Sequence, residues 1–228
     1  MTIAANIEAV RARMAVACAR AGRDVASVRL LPVSKTRPAG DVAAAHAAGV
    51  VRFGENRVQE ALAKAEALAG TGVEWAIIGP LQVNKAKYVA RFASEFQALD
   101  RVEVAAELNK RLVVAGRQLD VLIEVNTSGE ATKSGVAPSE AVAFAERLVP
   151  FDALRVRGLM TIAMPSEDPA VVAPCFETLR DVQTRLRDRG IPGQSYDELS
   201  MGMSGDFELA IEHGSTVVRV GTAIFGPR

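Results

Sequence analysis

The chain is poor in the residues that most often announce a chemistry. Its 228 residues include two cysteines, two histidines, two tyrosines and one tryptophan, and aromatic residues make up 5%. Cys18 and Cys175 fall in stretches that read as helices, without metal-ligand spacing, so they read as small core residues of a chain kept in a reducing compartment. His46 lies on an alanine-rich helix and His213 near a helix C-terminus, where an imidazolium suits the dipole, and both are expected to be structural. Charge of one sign is also missing. Lys plus Arg and Asp plus Glu number 27 each, which leaves no global field to draw nucleic acid or an anionic membrane. No segment approaches the ~20 apolar residues that span a bilayer, and no basic stretch followed by a long apolar run opens the chain. A cytoplasmic protein is expected.

What is present is apolar and regularly patterned. Apolar residues reach 49% and charged residues 24%, enough for a large core and too apolar for disorder. The first segment sets Ile3, Ile7, Val10, Met14 and Cys18 at helical spacing, with Thr2 as its cap and Gly22 as its stop. Eight β-rich runs follow, at 28–34, 50–54, 74–79, 95–99, 119–126, 154–162, 198–201 and 216–221. Helical stretches such as 56–69, 102–115, 138–149 and 169–189 alternate with them; the last puts Val172, Phe176, Leu179, Val182 and Leu186 on one face. Strand–helix alternation demands parallel pairing, and eight such units fit a (β/α)8 TIM barrel of roughly 200–250 residues. Residues 1–228 are therefore expected to form one α/β domain, a barrel with an extra N-terminal helix. A doubly wound open sheet satisfies the same periodicity.

In a parallel barrel the residues just after each strand share one face. Here that rim gathers Lys35, Glu55, Asn56, Gln82, Asn84, Lys85, Asn126, Met160, Thr161, Ser200 to Ser204, and Arg219 to Thr222. The long loop 126–135 belongs to the same face and the stretch 187–198 to the opposite one. Lys35 ends an apolar strand in "LPVSKTRP" beside Arg37. A lysine taken at random is solvated, but one emerging from a barrel core near other cations is desolvated and repelled, which favours the neutral amine and imine chemistry. Ser204 and Gly205 precede a helix whose first turn carries Asp206 and Glu208, and Arg219 leads into the close turn of Gly221 and Thr222. Each turn alone reads as an ordinary cap or βα corner. Together, after the last two strands, they match the phosphate position of this barrel class. Lys85 and Lys87 read as a solvated pair, while Lys133, in the long loop, is placed to approach the mouth.

The motifs "VSKT", "FGENRVQE", "IGPLQVNK", "EVNTSGEATKSG", "RGLMTIAMP" and "LSMGMSGDFELAIEHGSTVVRVGTAIFG" occur in this order over nearly the whole chain. They resemble the pyridoxal phosphate homeostasis proteins, also called the YggS or PROSC family. The resemblance implies a fold-type III barrel related to the N-terminal domain of alanine racemases, with pyridoxal 5′-phosphate carried as a Schiff base on Lys35. It further implies phosphate contacts from Ser204, Gly221 and Thr222, Arg219 facing the pyridine nitrogen, and Asn56 and Met203 lining the ring pocket. One position departs from the family: Trp75 is followed by Ala76, where a histidine is frequent. An arginine at the pyridine nitrogen weakens the ring as an electron sink. Racemisation also needs an acid/base pair, for which the chain offers only Tyr88 and Tyr196, and no second domain is expected to supply the missing group. The expected function is cofactor homeostasis by a monomer, buffering the cofactor or delivering it to apoenzymes, without turnover. The alternative is a single-domain amino-acid racemase. The recipient, and any role of Lys133 or Lys85 in transfer, is not legible.

Overall fold

The computed structural model describes residues 2–130 and 133–227. Eight strands run through it: β1 (Arg29–Pro32), β2 (Arg52–Glu55), β3 (Glu74–Ile77), β4 (Glu95–Leu99), β5 (Leu119–Glu124), β6 (Leu154–Met160), β7 (Glu198–Ser200) and β8 (Val217–Val220). Every neighbouring pair is parallel, in the order β1-β8-β7-β6-β5-β4-β3-β2. The seam between β1 and β2 decides the topology. There an isolated parallel bridge joins Val33 to Gly54, and the Ser34 N–H donates to the Gly54 carbonyl at 3.0 Å. The sheet therefore curls into a nearly closed barrel, and the open doubly wound alternative is set aside. Most strands stop short of the span expected from sequence, because the chains leave the ladder where they turn to form the mouth.

The helices are α1 (Ile3–Arg20), α2 (Ala39–Ala47), α3 (Val58–Ala67), α4 (Ala86–Phe92), α5 (Val102–Ala115), α6 (Ala141–Leu148), α7 (Pro169–Arg189), α8 (Phe207–Glu212) and α9 (Thr222–Phe225). Local chemistry sets their ends. The Thr2 hydroxyl accepts the Ala5 N–H at 3.2 Å to cap α1, and Asp168 accepts the Ala170 N–H at 2.9 Å before Pro169 opens α7. Their apolar faces build the core outside the barrel. Ile7, Val10, Met14 and Cys18 of α1 pack with Val42, Phe53 and Phe207, while Val172, Cys175, Phe176 and Leu179 of α7 pack with β5 and β6. Both cysteines are buried in these layers, as expected of small core residues. His46 joins the carbonyls of Val50 and Thr71 at 2.7 and 2.9 Å, and His213 caps the end of α8, so both are structural.

The barrel interior is different. Leu31, Ala76 and Val217, with Ile78 against them, form a small apolar cluster of their own. Ala76 thus fills an apolar layer one step beneath Ile78. Buried Glu95, Gln97, Ser200 and Arg219 are linked to one another across the strands and lead to the site.

Candidate functional site

The C-terminal ends of the strands open onto a cleft of ≈ 280 Å³. Lys35, Asn56, Met203, Ser204, Arg219, Gly221 and Thr222 all line it, together with Val33, Ile78, Ile162 and Gly205. The seven residues singled out from sequence therefore meet in one place, although they come from the ends of β1, β2, β7 and β8. Two glycines make the convergence possible. A Cβ at Gly79 would lie 2.5 Å from the Asn56 carbonyl oxygen, so only glycine lets the end of β3 pass so close to Asn56. Gly202 has φ +92°, and a Cβ there would meet Ala210 Cβ at 2.5 Å. It turns the chain from β7 into the Met203–Ser204 loop. That loop touches the β8 turn directly, since the Gly221 N–H donates to Ser204 Oγ at 3.3 Å.

Arg219 is the most buried charge of the cleft, with 4% exposure. Its Nη1 donates to Ser200 Oγ at 2.8 Å and its Nη2 to the Thr161 carbonyl at 2.7 Å. Ser200 Oγ in turn donates to Gln97 Oε1 at 2.7 Å, and Gln97 Nε2 donates to Glu95. Every donor in this chain points the same way, from the mouth down the axis to a carboxylate at the base. Such chains polarise their members cooperatively, and this one fixes the guanidinium plane. Burial pulls the Arg219 pKa down to about 10, while Asp206 and Glu124 act to raise it. The side chain stays cationic at neutral pH.

Some expected members of the rim have other duties. Ser200 ends β7 inside the barrel as part of the relay, and Met160 is fully buried in the core between sheet and helices. Thr161 is buried and donates to the Val125 carbonyl at 2.8 Å. Asn126 holds its own loop, donating to the Glu130 carbonyl at 2.9 Å. Gln82 and Lys85 line a neighbouring cleft that shares Asn56, and Lys85 and Lys87 both flank the ring of Tyr88. Lys133 pairs with Glu130 at 3.2 Å rather than lining the cleft. Asp206 is corrected from the first turn of α8 to its N-cap position. Its carboxylate accepts the Met203 N–H at 2.5 Å and so shapes the loop. Arg37 turns away and donates to the carbonyls of Gly226 and Pro227 at 2.5 and 2.6 Å. Tyr88 lies on α4, and Tyr196 is buried before β7 with its hydroxyl on Gln194. Among the described residues, no tyrosine lines the cleft.

Two further groups escaped the sequence reading. Glu124 ends β5 and is 5% exposed, and among the described residues its Oε2 has no hydrogen-bond partner. Burial lifts its pKa to about 7, with Asp100 adding to the rise and Arg219 opposing it. The second is Lys64, buried beneath the Lys35 turn; its ammonium reaches Glu55 at 2.6 Å and Glu60 at 2.7 Å. The signals were a glutamate within the apolar run "VLIEV" and the Glu60–Lys64 pair four residues apart on one helix.

A lysine amine, a buried guanidinium and two close turns bearing hydroxyls form a donor set suited to a phosphorylated aldehyde with a ring nitrogen. Comparison with known proteins agrees. The family model for the N-terminal domain of alanine racemase matches residues 5–228. A pyridoxal phosphate homeostasis protein of Pseudomonas aeruginosa is 45% identical over 227 residues, covering 100% of this chain and 96% of that one. Among solved structures, an unknown protein from Bifidobacterium adolescentis superposes with a TM-score of 0.93 at 41% identity, over 98% of this chain and 94% of that one. PipY of Synechococcus elongatus with PLP bound gives a TM-score of 0.86 at 32% identity, over 99% of this chain and 100% of that one.

Proposed function

Because the chain belongs to the pyridoxal phosphate homeostasis protein family, we propose that it holds pyridoxal 5′-phosphate as a Schiff base on Lys35 and buffers or delivers it without turnover. When bound, the cofactor supplies a reactive aldehyde and an electron-accepting ring. Lys35 would hold the cofactor through its aldehyde, with loss of one water. Ser204, Gly221 and Thr222 bind the phosphate with hydroxyl and backbone N–H groups. Asn56 and Met203 wall the ring.

Arg219 would take the ring nitrogen and keep its own proton. A guanidinium does not readily accept a second proton from the ring, so the nitrogen stays neutral and the ring withdraws electrons weakly. The single observation that carries this reading is the meeting of Lys35, Arg219 and both turns in one cleft. The racemase alternative needs a second acid/base group across the substrate, and neither tyrosine lines that cleft. The same reading takes residues 1–228 as one cytoplasmic domain acting as a monomer, with apoenzymes that need the cofactor as recipients.

Titration of the purified protein with pyridoxal phosphate tests the reading. A visible imine band should appear and should vanish in Lys35→Ala. Loaded protein incubated with L-amino acids should leave their chirality unchanged. Turnover that is lost in Lys35→Ala would overturn the carrier role in favour of an enzyme.

A further inference from the structure

Among the described residues, Thr36 is the one non-glycine residue with positive φ, at 65°. A β-branched residue resists this conformation, and it persists only where its surroundings over-determine it. The surroundings here are specific. The Thr36 N–H donates to Glu60 Oε1 at 2.5 Å, and its hydroxyl donates to the Lys35 carbonyl at 2.6 Å. Glu60 Oε1 also receives Lys64 Nζ at 2.7 Å. The same ammonium donates to the Ser34 carbonyl at 2.7 Å and to Glu55 Oε1 at 2.6 Å, and Ser34 Oγ donates to that Glu55 oxygen at 2.6 Å. An ammonium has three protons, and Lys64 places one on each of three acceptors.

The anchors fall on either side of Lys35: the Ser34 carbonyl before it and the Thr36 N–H after it. We propose that Lys64, with Glu55 and Glu60, is a positioning device that fixes the backbone on both sides of Lys35 and holds Thr36 in its left-handed conformation, so that the Lys35 amine enters the cleft at the angle imine formation needs. The inference rests on Lys35 being the cofactor lysine. A plainer reading is a staple for the β1–β2 seam, which otherwise has one isolated bridge. A staple does not require a strained threonine next to the reactive lysine. Buried ion clusters, moreover, are often no more stabilising than apolar residues of the same size, whereas small misplacements of a reacting group are costly.

The test compares wild type, Lys64→Met, Glu60→Ala and the double variant Glu60→Ala/Thr36→Gly, using pyridoxal phosphate itself as the probe. Imine formation is followed by absorbance and its position by hydride reduction and peptide mass. Lys64→Met and Glu60→Ala should each weaken imine formation by about tenfold or more. Glycine adopts positive φ freely, so the double variant should regain most of what Glu60→Ala loses. That rescue is a readout a seam staple would not give. Wild-type imine formation in both single variants, or a double variant no better than Glu60→Ala, overturns the inference while leaving Lys35 as the cofactor lysine. Failure of the wild type to form an imine on Lys35 overturns both. Glu60 is partly exposed, so the Glu60→Ala arms carry the test even if Lys64→Met does not fold.

Discussion

The two ends of the barrel both carry buried charge, and they treat it differently. At the base, Arg29 pairs with Glu95 at 3.1 Å and Glu198 at 3.0 Å, and Arg52 pairs with Glu74 at 2.6 Å and Glu95 at 2.5 Å. The larger cleft of the molecule, ≈ 520 Å³, opens there beside Arg11, Arg29 and Arg52. At the mouth, the cleft is about half that volume. Yet among the described residues Arg219 hydrogen-bonds to neutral groups, the Ser200 hydroxyl and the Thr161 carbonyl, and the Oε2 of Glu124 has no hydrogen-bond partner. Size alone would favour the base over the proposed site at the mouth. At the base Arg29 and Arg52 are answered by carboxylates, and at the mouth the Lys64 cluster is answered in the same way; Arg219, held by neutral groups, is the buried cation of the cleft without an ion pair among the described residues.

Removing the mouth cation should give the largest effect on cofactor binding. Arg219→Gln should lower stability by about 1–3 kcal/mol, since it removes charged hydrogen bonds to the Ser200 hydroxyl and the Thr161 carbonyl, and should weaken cofactor binding by more than tenfold. Titrations with pyridoxal phosphate and denaturant unfolding measure the two. At the base, Glu95→Gln leaves Arg29 and Arg52 short of a counter-charge and should cost about 2–4 kcal/mol. Gln97 would keep an acceptor there, so cofactor affinity should stay within about threefold. A base variant that abolishes binding while sparing stability would break the contrast.

Glu124 gives the next effect, and it depends on pH. Its native pKa is raised to about 7 from 4.5, so the native state holds the proton more tightly. Its contribution to stability is complete below the unfolded value and is lost as pH rises through the native one. Between pH 4.5 and about 7 stability should fall by about 3 kcal/mol on its account. Glu124→Gln should remove that fall and be the more stable form at pH 8, as unfolding across pH would show. Smallest of all, Glu8→Gln breaks an exposed pair with Arg11 and should change stability by under ~0.5 kcal/mol.

Much of the mouth could be read from sequence because it is built from backbone turns and strand ends, where glycine, serine and lysine stand out against apolar runs. "LSMGMSGD" and "RVGT" mark two such turns, and the eight strands fell where β-rich runs predict them. What could not be read lies inside. Gln97 and Ser200 sit far apart in the chain and meet only because β4 and β7 face each other across the axis. Lys64 looks like any helical lysine until α3 packs beneath the Lys35 turn. Closure of the barrel was equally hidden, since periodicity is the same for an open sheet. Long-range pairing, not local pattern, carries those features.

Hydride reduction of the protein loaded with pyridoxal phosphate, followed by peptide mass mapping, tests the central claim most directly. One adduct on the peptide containing Lys35 is the predicted result. An adduct confined to Lys85, Lys133 or another lysine, or none at all, would contradict it.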